Sequence, residues 1–225
     1  MMKSLKLSLI PIMVLSLIMM SSITLFAKTN YFGLTPYASF GYFASSYTCD
    51  VNLLILSTKL DAEATGTAFK VGAQLEIPVT NTVTFTPAVE FQQATIDSYT
   101  YKDNKIKASD LPFSSDEGTT SQFINIPLMF NLYFSSDNSG LFVGVGPKLN
   151  LNLSKEEDQV FSTNSLVVSG SATVGYQMKN GLRLAAVADR TLTSIFNDED
   201  SINNNKITSI SGNNLYIGAV IGYRF

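Results

Sequence analysis

The C-terminal residues 214–225 constrain the fold most strongly, because apolar side chains occupy every second position to the end of the chain. One face of an extended strand would carry Leu215, Ile217, Ala219, Ile221, Tyr223 and Phe225. The other would carry Tyr216, Gly218, Val220, Gly222 and Arg224. A period of two is typical of a β-strand. An unbroken apolar face opposite a face with glycines and a charge suits a wall between lipid and a polar interior, so the stretch predicts a transmembrane β-barrel strand.

Residues 1–27 have the pattern of a secretory signal peptide. Two lysines precede a mostly apolar run from Leu7 to about Met20, and the segment ends on the small residue Ala27. A transmembrane anchor is the alternative, because the run approaches helix-spanning length. A proline within the run and serines at its end favour the cleaved signal. We therefore predict export, with residues 28–225 forming one β-barrel domain.

Alternating segments recur along the rest of the chain and bring the predicted number of strands to eight. We place them at about 31–44, 67–79, 83–99, 123–134, 141–153, 166–178, 182–195 and 214–225. Short connections follow the second, fourth and sixth strands, and long polar connections follow the first, third, fifth and seventh. This asymmetry is typical of outer-membrane barrels. We predict an all-β, eight-stranded antiparallel up-and-down transmembrane barrel in the bacterial outer membrane.

Charged side chains recur on the face predicted to point inward: Lys70, Glu76, Glu90, Lys148, Arg183, Asp189 and Arg224. In a soluble lipocalin-like barrel these charges would have to enter an apolar core, which disfavours that alternative. In a membrane barrel they would either select permeating solutes or pair with one another. Eight strands leave room for little beyond side chains, which favours ion pairs.

Strict alternation points Arg190 toward lipid, which conflicts with the inward placement of charge on the same strand. A β-bulge, or a position in the outer headgroup zone, would resolve the conflict.

The composition excludes several kinds of chemistry. The chain has no histidine, which removes the His-dependent nucleophilic and metal mechanisms. No carboxylate spacing suggests a catalytic dyad, so we predict no enzymatic activity, no metal site and no cofactor. A net charge of −3 disfavours a nucleic-acid partner. The single Cys49 excludes an internal disulfide.

The predicted outer loops contain acidic clusters at Asp116–Glu117, Glu156–Asp158 and Asp198–Asp200. Such runs are usually solvated, although carboxylates also suit divalent cations that bridge surface glycolipid. Lysines 102, 105 and 107 could meet anionic sugars. The apolar stretch Val51–Leu56 is unusual for a loop, and it either extends the first strand, folds over the barrel mouth or docks a partner. Outer-membrane lipid, surface glycolipid and an unidentified surface ligand are the expected partners.

Residues 123–134, Phe-Ile-Asn-Ile-Pro-Leu-Met-Phe-Asn-Leu-Tyr-Phe, resemble the fourth strand of the porin-like outer-membrane β-barrel family, which includes the PorT-like and OmpX-like small eight-stranded barrels. Residues 145–149 are similar to that family's following Gly-Pro strand, and residues 190–195 to its penultimate segment. The terminal Ile221, Tyr223 and Phe225 resemble the C-terminal signal read by the barrel-assembly machinery, which implies that machinery as a partner during biogenesis. The resemblance implies a shape rather than an activity.

The sequence is compatible with three functions. The leading hypothesis is a non-enzymatic outer-membrane barrel with an envelope-structural or surface-interaction role. The second is a narrow porin-like channel for small solutes. The third, implied only by the PorT-like resemblance, is an accessory factor in protein secretion or assembly.

Overall fold

The computed structural model describes residues 32–53, 56–101, 104–107, 119–135, 137–153, 164–195 and 207–225. The described ranges contain nine β-strands: β1 (Gly33–Leu53), β2 (Leu56–Pro78), β3 (Val83–Tyr101), β4 (Asn104–Lys107), β5 (Thr119–Tyr133), β6 (Gly140–Asn152), β7 (Leu166–Gln177), β8 (Leu182–Thr191) and β9 (Ile207–Tyr223). The predicted signal peptide and the three acidic clusters lie outside the described residues, as does Lys102. Lys105 and Lys107 lie on β4.

Eight of these strands close into an antiparallel barrel. Each of the eight pairs with the next of the eight along the chain, including β3 with β5, and β1 also pairs with β9 to complete the cylinder. The short β4 pairs with Ser98–Tyr101 and extends the wall outside the closed part of the sheet. The predicted eight-stranded up-and-down barrel is therefore confirmed.

The barrel is apolar outside and polar inside. Phe40 on β1, Val145 on β6 and Ile221 on β9 are each more than half exposed on the outer face. By contrast, Lys70 and Glu76 on β2 are each 1% exposed. This inverted distribution is what a cylinder in lipid requires. The part of the chain that the structure describes has no helix long and apolar enough to cross a membrane.

The connection between β1 and β2 differs from the long loop predicted from the sequence. The two strands pair in unbroken register from Gly33↔Glu76 to Leu53↔Leu56, so they form one long hairpin. The residues described in the apolar stretch, Val51–Leu53 and Leu56, extend the strands, and the Cys49 backbone pairs with Leu60. Sequence alternation missed this extension because a strand that leaves the membrane meets water on both faces and loses its apolar period.

The short connections carry the hydrogen bonds and backbone conformations of tight turns. Val79 and Thr80 N–H groups donate to the Val83 carbonyl at 2.8 and 3.0 Å. Gly181, with φ of 95°, turns the chain between β7 and β8. In the turn between β5 and β6, the Ser135 and Ser139 hydroxyls donate to Asp137, and these bonds lower the pKa of that carboxyl group. Because short turns face the periplasm in such barrels, these turns define the periplasmic end.

Arg190 points outward without a bulge. It pairs with Gly170 and Leu215 in continuous register and is exposed near the end of β8. Arg190 lies eight residues after Leu182, which is at the periplasmic end. The rise and tilt of a barrel strand therefore place Arg190 about 20 Å up the barrel axis, near the edge of an apolar band about 25 Å tall. The position in the headgroup zone is therefore the alternative that the geometry supports.

We expect Arg190→Leu to change the free energy of unfolding by less than about 1 kcal/mol, because a cation near the interface costs little. Chemical unfolding in phospholipid vesicles measures this change. A stabilisation of about 2 kcal/mol or more would instead place the guanidinium deep in the hydrocarbon region.

Candidate functional site in the barrel lumen

Four charged side chains meet at the centre of the lumen, and we refer to Lys70, Glu90, Lys148 and Asp189 as the central cluster. Both lysine ammonium groups donate to Asp189 Oδ2, Lys148 at 2.6 Å. Glu90 Oε1 lies 3.7 Å from Lys70 Nζ and 3.8 Å from Lys148 Nζ. Only Lys70 and Glu90 come from neighbouring strands, because β1 and β9 lie between β2 and β8, β5 lies between β3 and β6, and β7 lies between β6 and β8, so the four side chains meet inside the lumen.

Neutral side chains complete the coordination of the central cluster. Ser171 Oγ donates to Asp189 Oδ1 at 2.5 Å, and Tyr37 Oη donates to Glu90 Oε2 at 2.9 Å. Asn125 Nδ2 donates to Glu90 Oε1 at 3.0 Å, and Lys70 Nζ lies 3.5 Å from the centroid of the Tyr216 ring. The cluster combines two cations with two carboxylates, and its members are at most 6% exposed. Added hydrogen bonds and charge balance are what make buried ion pairs tolerable.

A second group lies nearer the periplasmic end, and we call Glu76, Arg183, Arg224 and Tyr133 the periplasmic cluster. Arg183 Nη1 donates to Glu76 Oε1 at 2.6 Å, and Arg224 Nε lies 3.2 Å from Glu76 Oε2. Tyr133 Oη donates to Glu76 Oε1 at 3.4 Å. The Arg183 guanidinium also lies 4.0 Å from the centroid of the Phe142 ring, a cation–π contact.

The structure thus places six of the seven predicted inward charges inside the lumen, whereas Arg224 lies at the periplasmic rim, 26% exposed, and reaches Glu76 from there. The seven charges divide between the two clusters. Their neutral partners Tyr37, Tyr133 and Tyr216 were not singled out from the sequence. Each lies on the inward register of its strand, which is the signal that could have found them. Between the clusters lies a void of about 60 Å³, with room for a few water molecules.

A larger cavity of about 290 Å³ lies on the loop side of the central cluster, and we call it the upper cavity. Lys148 and Asp189 border it, and the surrounding wall comes from residues such as Phe43, Asn150 and Tyr216. No group of three or more Cys, Asp or Glu side chains is placed to hold a metal ion within the described ranges.

The residues predicted as an assembly signal lie on the outer face of β9 and just beyond its end. Ile221, Tyr223 and Phe225 are each about half exposed, and the rings of Tyr223 and Phe225 contact edge to face at 5.0 Å. Phe225 N–H donates to the Leu34 carbonyl at 3.0 Å, which ties the C-terminus to β1. Their recognition by the barrel-assembly machinery stays a prediction.

A family model described as an outer membrane protein beta-barrel domain matches residues 30–225. The chain belongs to this family. The match confirms the family resemblance of residues 123–134, 145–149 and 190–195. It also indicates that the protein is located in the bacterial outer membrane. No curated protein is significantly similar to the chain.

Solved structures give remote matches. Outer membrane protease OmpT from Escherichia coli is 11% identical with a TM-score of 0.42, covering 88% of this chain and 99% of that one. OprG from Pseudomonas aeruginosa is 12% identical with a TM-score of 0.44, and the match covers 85% of this chain and 95% of OprG. Ail of Yersinia pestis is 12% identical with a TM-score of 0.35, and the match covers 85% of this chain and 98% of Ail. At these values the matches add nothing to the family assignment.

Proposed function

We propose that this chain is a non-enzymatic, sealed outer-membrane barrel with an envelope-structural or surface-interaction role. The observation that carries the proposal is the central cluster, in which buried charges from four strands that are mostly not neighbours contact each other inside the lumen. A permeating ion would have to separate Lys70 and Lys148 from Asp189, with which both ammonium groups form buried ion pairs. Breaking such a buried pair is costly, so the cluster acts as a plug.

The periplasmic cluster adds a second barrier along the same path. Glu76 is held from two sides by Arg183 and Arg224, and it is 1% exposed. A solute that passed the central cluster would meet this second set of paired charges before reaching the periplasm. Two successive plugs in a barrel of only eight strands favour closure over the channel alternative.

The burial and ion pairing of the lumen carboxylates support a non-enzymatic role. A general acid or base must lie within hydrogen-bond reach of its substrate. Glu76, Glu90 and Asp189 are each at most 5% exposed and lie within ion-pair distance of lysine or arginine side chains. Together with the absence of histidine from the sequence, this arrangement favours a structural use of the charges.

The uneven height of the wall supports a role at the cell surface. β1 is 21 residues long, whereas β8 is 10 residues long. At the rise and tilt of barrel strands, β1 extends about 50 Å along the axis, about twice the height of the apolar band. The β1–β2 hairpin, flanked by β9 and β3, therefore projects well beyond the membrane as a surface for interaction.

Planar-bilayer recording of the purified chain tests the sealed barrel. We expect no stepwise openings, because both clusters block the lumen, whereas a general-diffusion porin in the same membrane supplies the positive control. Reproducible openings from pure protein would overturn the proposal in favour of the narrow channel.

A further inference from the structure

We propose that the upper cavity is a binding site for a small, neutral, polyhydroxylated molecule of the mono- or disaccharide class. This inference rests on the proposed sealed barrel, because the central cluster forms the floor against which a ligand would lie. Lys148 and Asp189 belong to both the plug and the cavity lining. A ligand therefore enters and leaves from the loop side and is held at the surface rather than transported.

The polar lining is dominated by side-chain amides: Gln92, Asn125, Asn150, Asn152, Asn164 and Asn214. An amide offers both donors and an acceptor, as a sugar hydroxyl does, so each can serve either side of a hydrogen bond. Asn125 is 1% exposed, and its Nδ2 donates to Glu90 and Gln92, which fixes the orientation of this amide at the base of the cavity.

Aromatic rings form the complementary part of the lining: Phe43, Tyr47, Tyr99, Phe123 and Tyr216. Phe43 and Tyr216 also belong to an apolar cluster directly above the charges, with Phe123 packed against it. Apolar and aromatic walls with a few polar groups are typical of small-molecule sites. A sugar ring has apolar C–H faces and polar edges, which match rings on one part of the wall and amides on the other.

The charges around the upper cavity argue against an ionic ligand. Of the described residues that line it, only Lys148 and Asp189 are charged, and they contact each other at 2.6 Å. Lys70 and Glu90 balance them within the central cluster. An anion or cation would therefore be buried without a free partner, which is costly.

The size of the upper cavity limits the ligand. Its volume of about 290 Å³ is at the lower end of the range of about 300–1,000 Å³ that is usual for small-molecule pockets. One or two sugar rings fit this space, whereas a longer glycan could insert only its terminal residues.

Isothermal titration calorimetry on the full mature chain, refolded in a detergent without a sugar headgroup, tests this inference. Glucose and maltose serve as neutral probes, and glucuronate and glucosamine as charged counterparts. We expect saturable binding of at least one neutral probe, and at least about tenfold weaker binding of the charged compounds, equivalent to about 1.4 kcal/mol. No saturable binding of either neutral probe up to about 10 mM would overturn the site.

Variants assign the binding to the upper cavity. Ser121→Phe fills the cavity from β5 and is expected to weaken binding at least about tenfold, equivalent to about 1.4 kcal/mol. Asn152→Leu on β6 is a second blocking variant that removes one lining amide. Ala188→Phe, on the outer face of β8, adds a comparable ring outside the lumen and should leave binding unchanged. Equal binding by folded Ser121→Phe, Asn152→Leu and Ala188→Phe would refute the assignment.

The two proposals fail in different assays. A chain that binds no neutral sugar but conducts no ions would refute the ligand site and leave the sealed barrel intact. Stepwise openings in the bilayer would refute the sealed barrel itself.

Discussion

Asp189→Ala is expected to lower the free energy of unfolding by about 3–5 kcal/mol, because it removes the carboxylate that two buried lysines share. Both ammonium groups donate to Asp189 Oδ2, and Ser171 donates to its other oxygen. Without Asp189, Glu90 is the remaining carboxylate in the central cluster, 3.7 and 3.8 Å from the two cations. One carboxylate cannot compensate two desolvated ammonium groups that also repel each other.

Chemical unfolding of the refolded variant in phospholipid vesicles measures the effect, with gel mobility of the unheated protein as a check on folding. Asp97→Ala is the matched control, because Asp97 is an exposed carboxylate on β3, and its loss should stay within about 0.5 kcal/mol. A loss below about 1 kcal/mol for Asp189→Ala would mean that the cluster does not contribute as a buried ion network.

A double variant separates loss of the pair from loss of charge balance. Lys148→Met with Asp189→Leu removes one cation and one anion and leaves Lys70 facing Glu90. We expect this variant to be more stable than Asp189→Ala alone, because replacing both members of a buried pair by apolar residues leaves no unpaired charge. If the double variant lost as much free energy of unfolding as Asp189→Ala, the effect of Asp189→Ala would come from packing rather than from charge.

The inward position of the charges was predictable, whereas their pairing was not. Side chains alternate strictly along a strand, so residue parity alone placed Lys70 and Asp189 in the lumen. Their contact joins residues far apart in the sequence on strands that are not neighbours, and it depends on the register of every strand between them. Chain periodicity carries no information about that relative height.

The strands were also predictable only where they cross the membrane. The end of β1 at Leu53 and the start of β9 at Ile207 both lie beyond the predicted strands. In water both faces of a strand accept polar residues, so the apolar alternation that identified the membrane segments is lost there. Backbone pairing with the adjacent strands, rather than side-chain pattern, defines these extensions.

The seam between the first and last strands contains a close approach that depends on glycine. Gly41 on β1 pairs with Gly218 on β9. A Cβ atom at position 41 would overlap the Ile217 carbonyl oxygen and the Gly218 Cα, and would lie 2.8 Å from the Ile217 carbonyl carbon. Because these are backbone atoms of the neighbouring strand, no rotamer change can relieve the overlap.

The same approach supports the contacts of Tyr216 in the lumen. A Cβ atom at Gly218 would overlap Tyr216 Oη and lie 2.5 Å from its Cζ, so the ring lies against the bare backbone of Gly218. In that position Tyr216 Oη hydrogen-bonds Ser39 Oγ at 2.5 Å, and its ring faces Lys70. The glycine pair therefore links closure of the barrel to the aromatic wall above the central cluster.

We expect Gly41→Ala to lower the free energy of unfolding by at least about 3 kcal/mol, the upper end of the usual cost of overpacking, because β1 and β9 must separate. Gly170→Ala on β7 is the matched control, since a Cβ there would make only ordinary contacts with Leu192 at 3.8 and 3.9 Å. That control should be neutral or stabilise by up to about 1 kcal/mol, because alanine restricts the unfolded chain. Vesicle unfolding of both variants measures the difference. Equal stability of the two alanine variants would show that the β1–β9 seam opens without cost and that glycine is not required for closure.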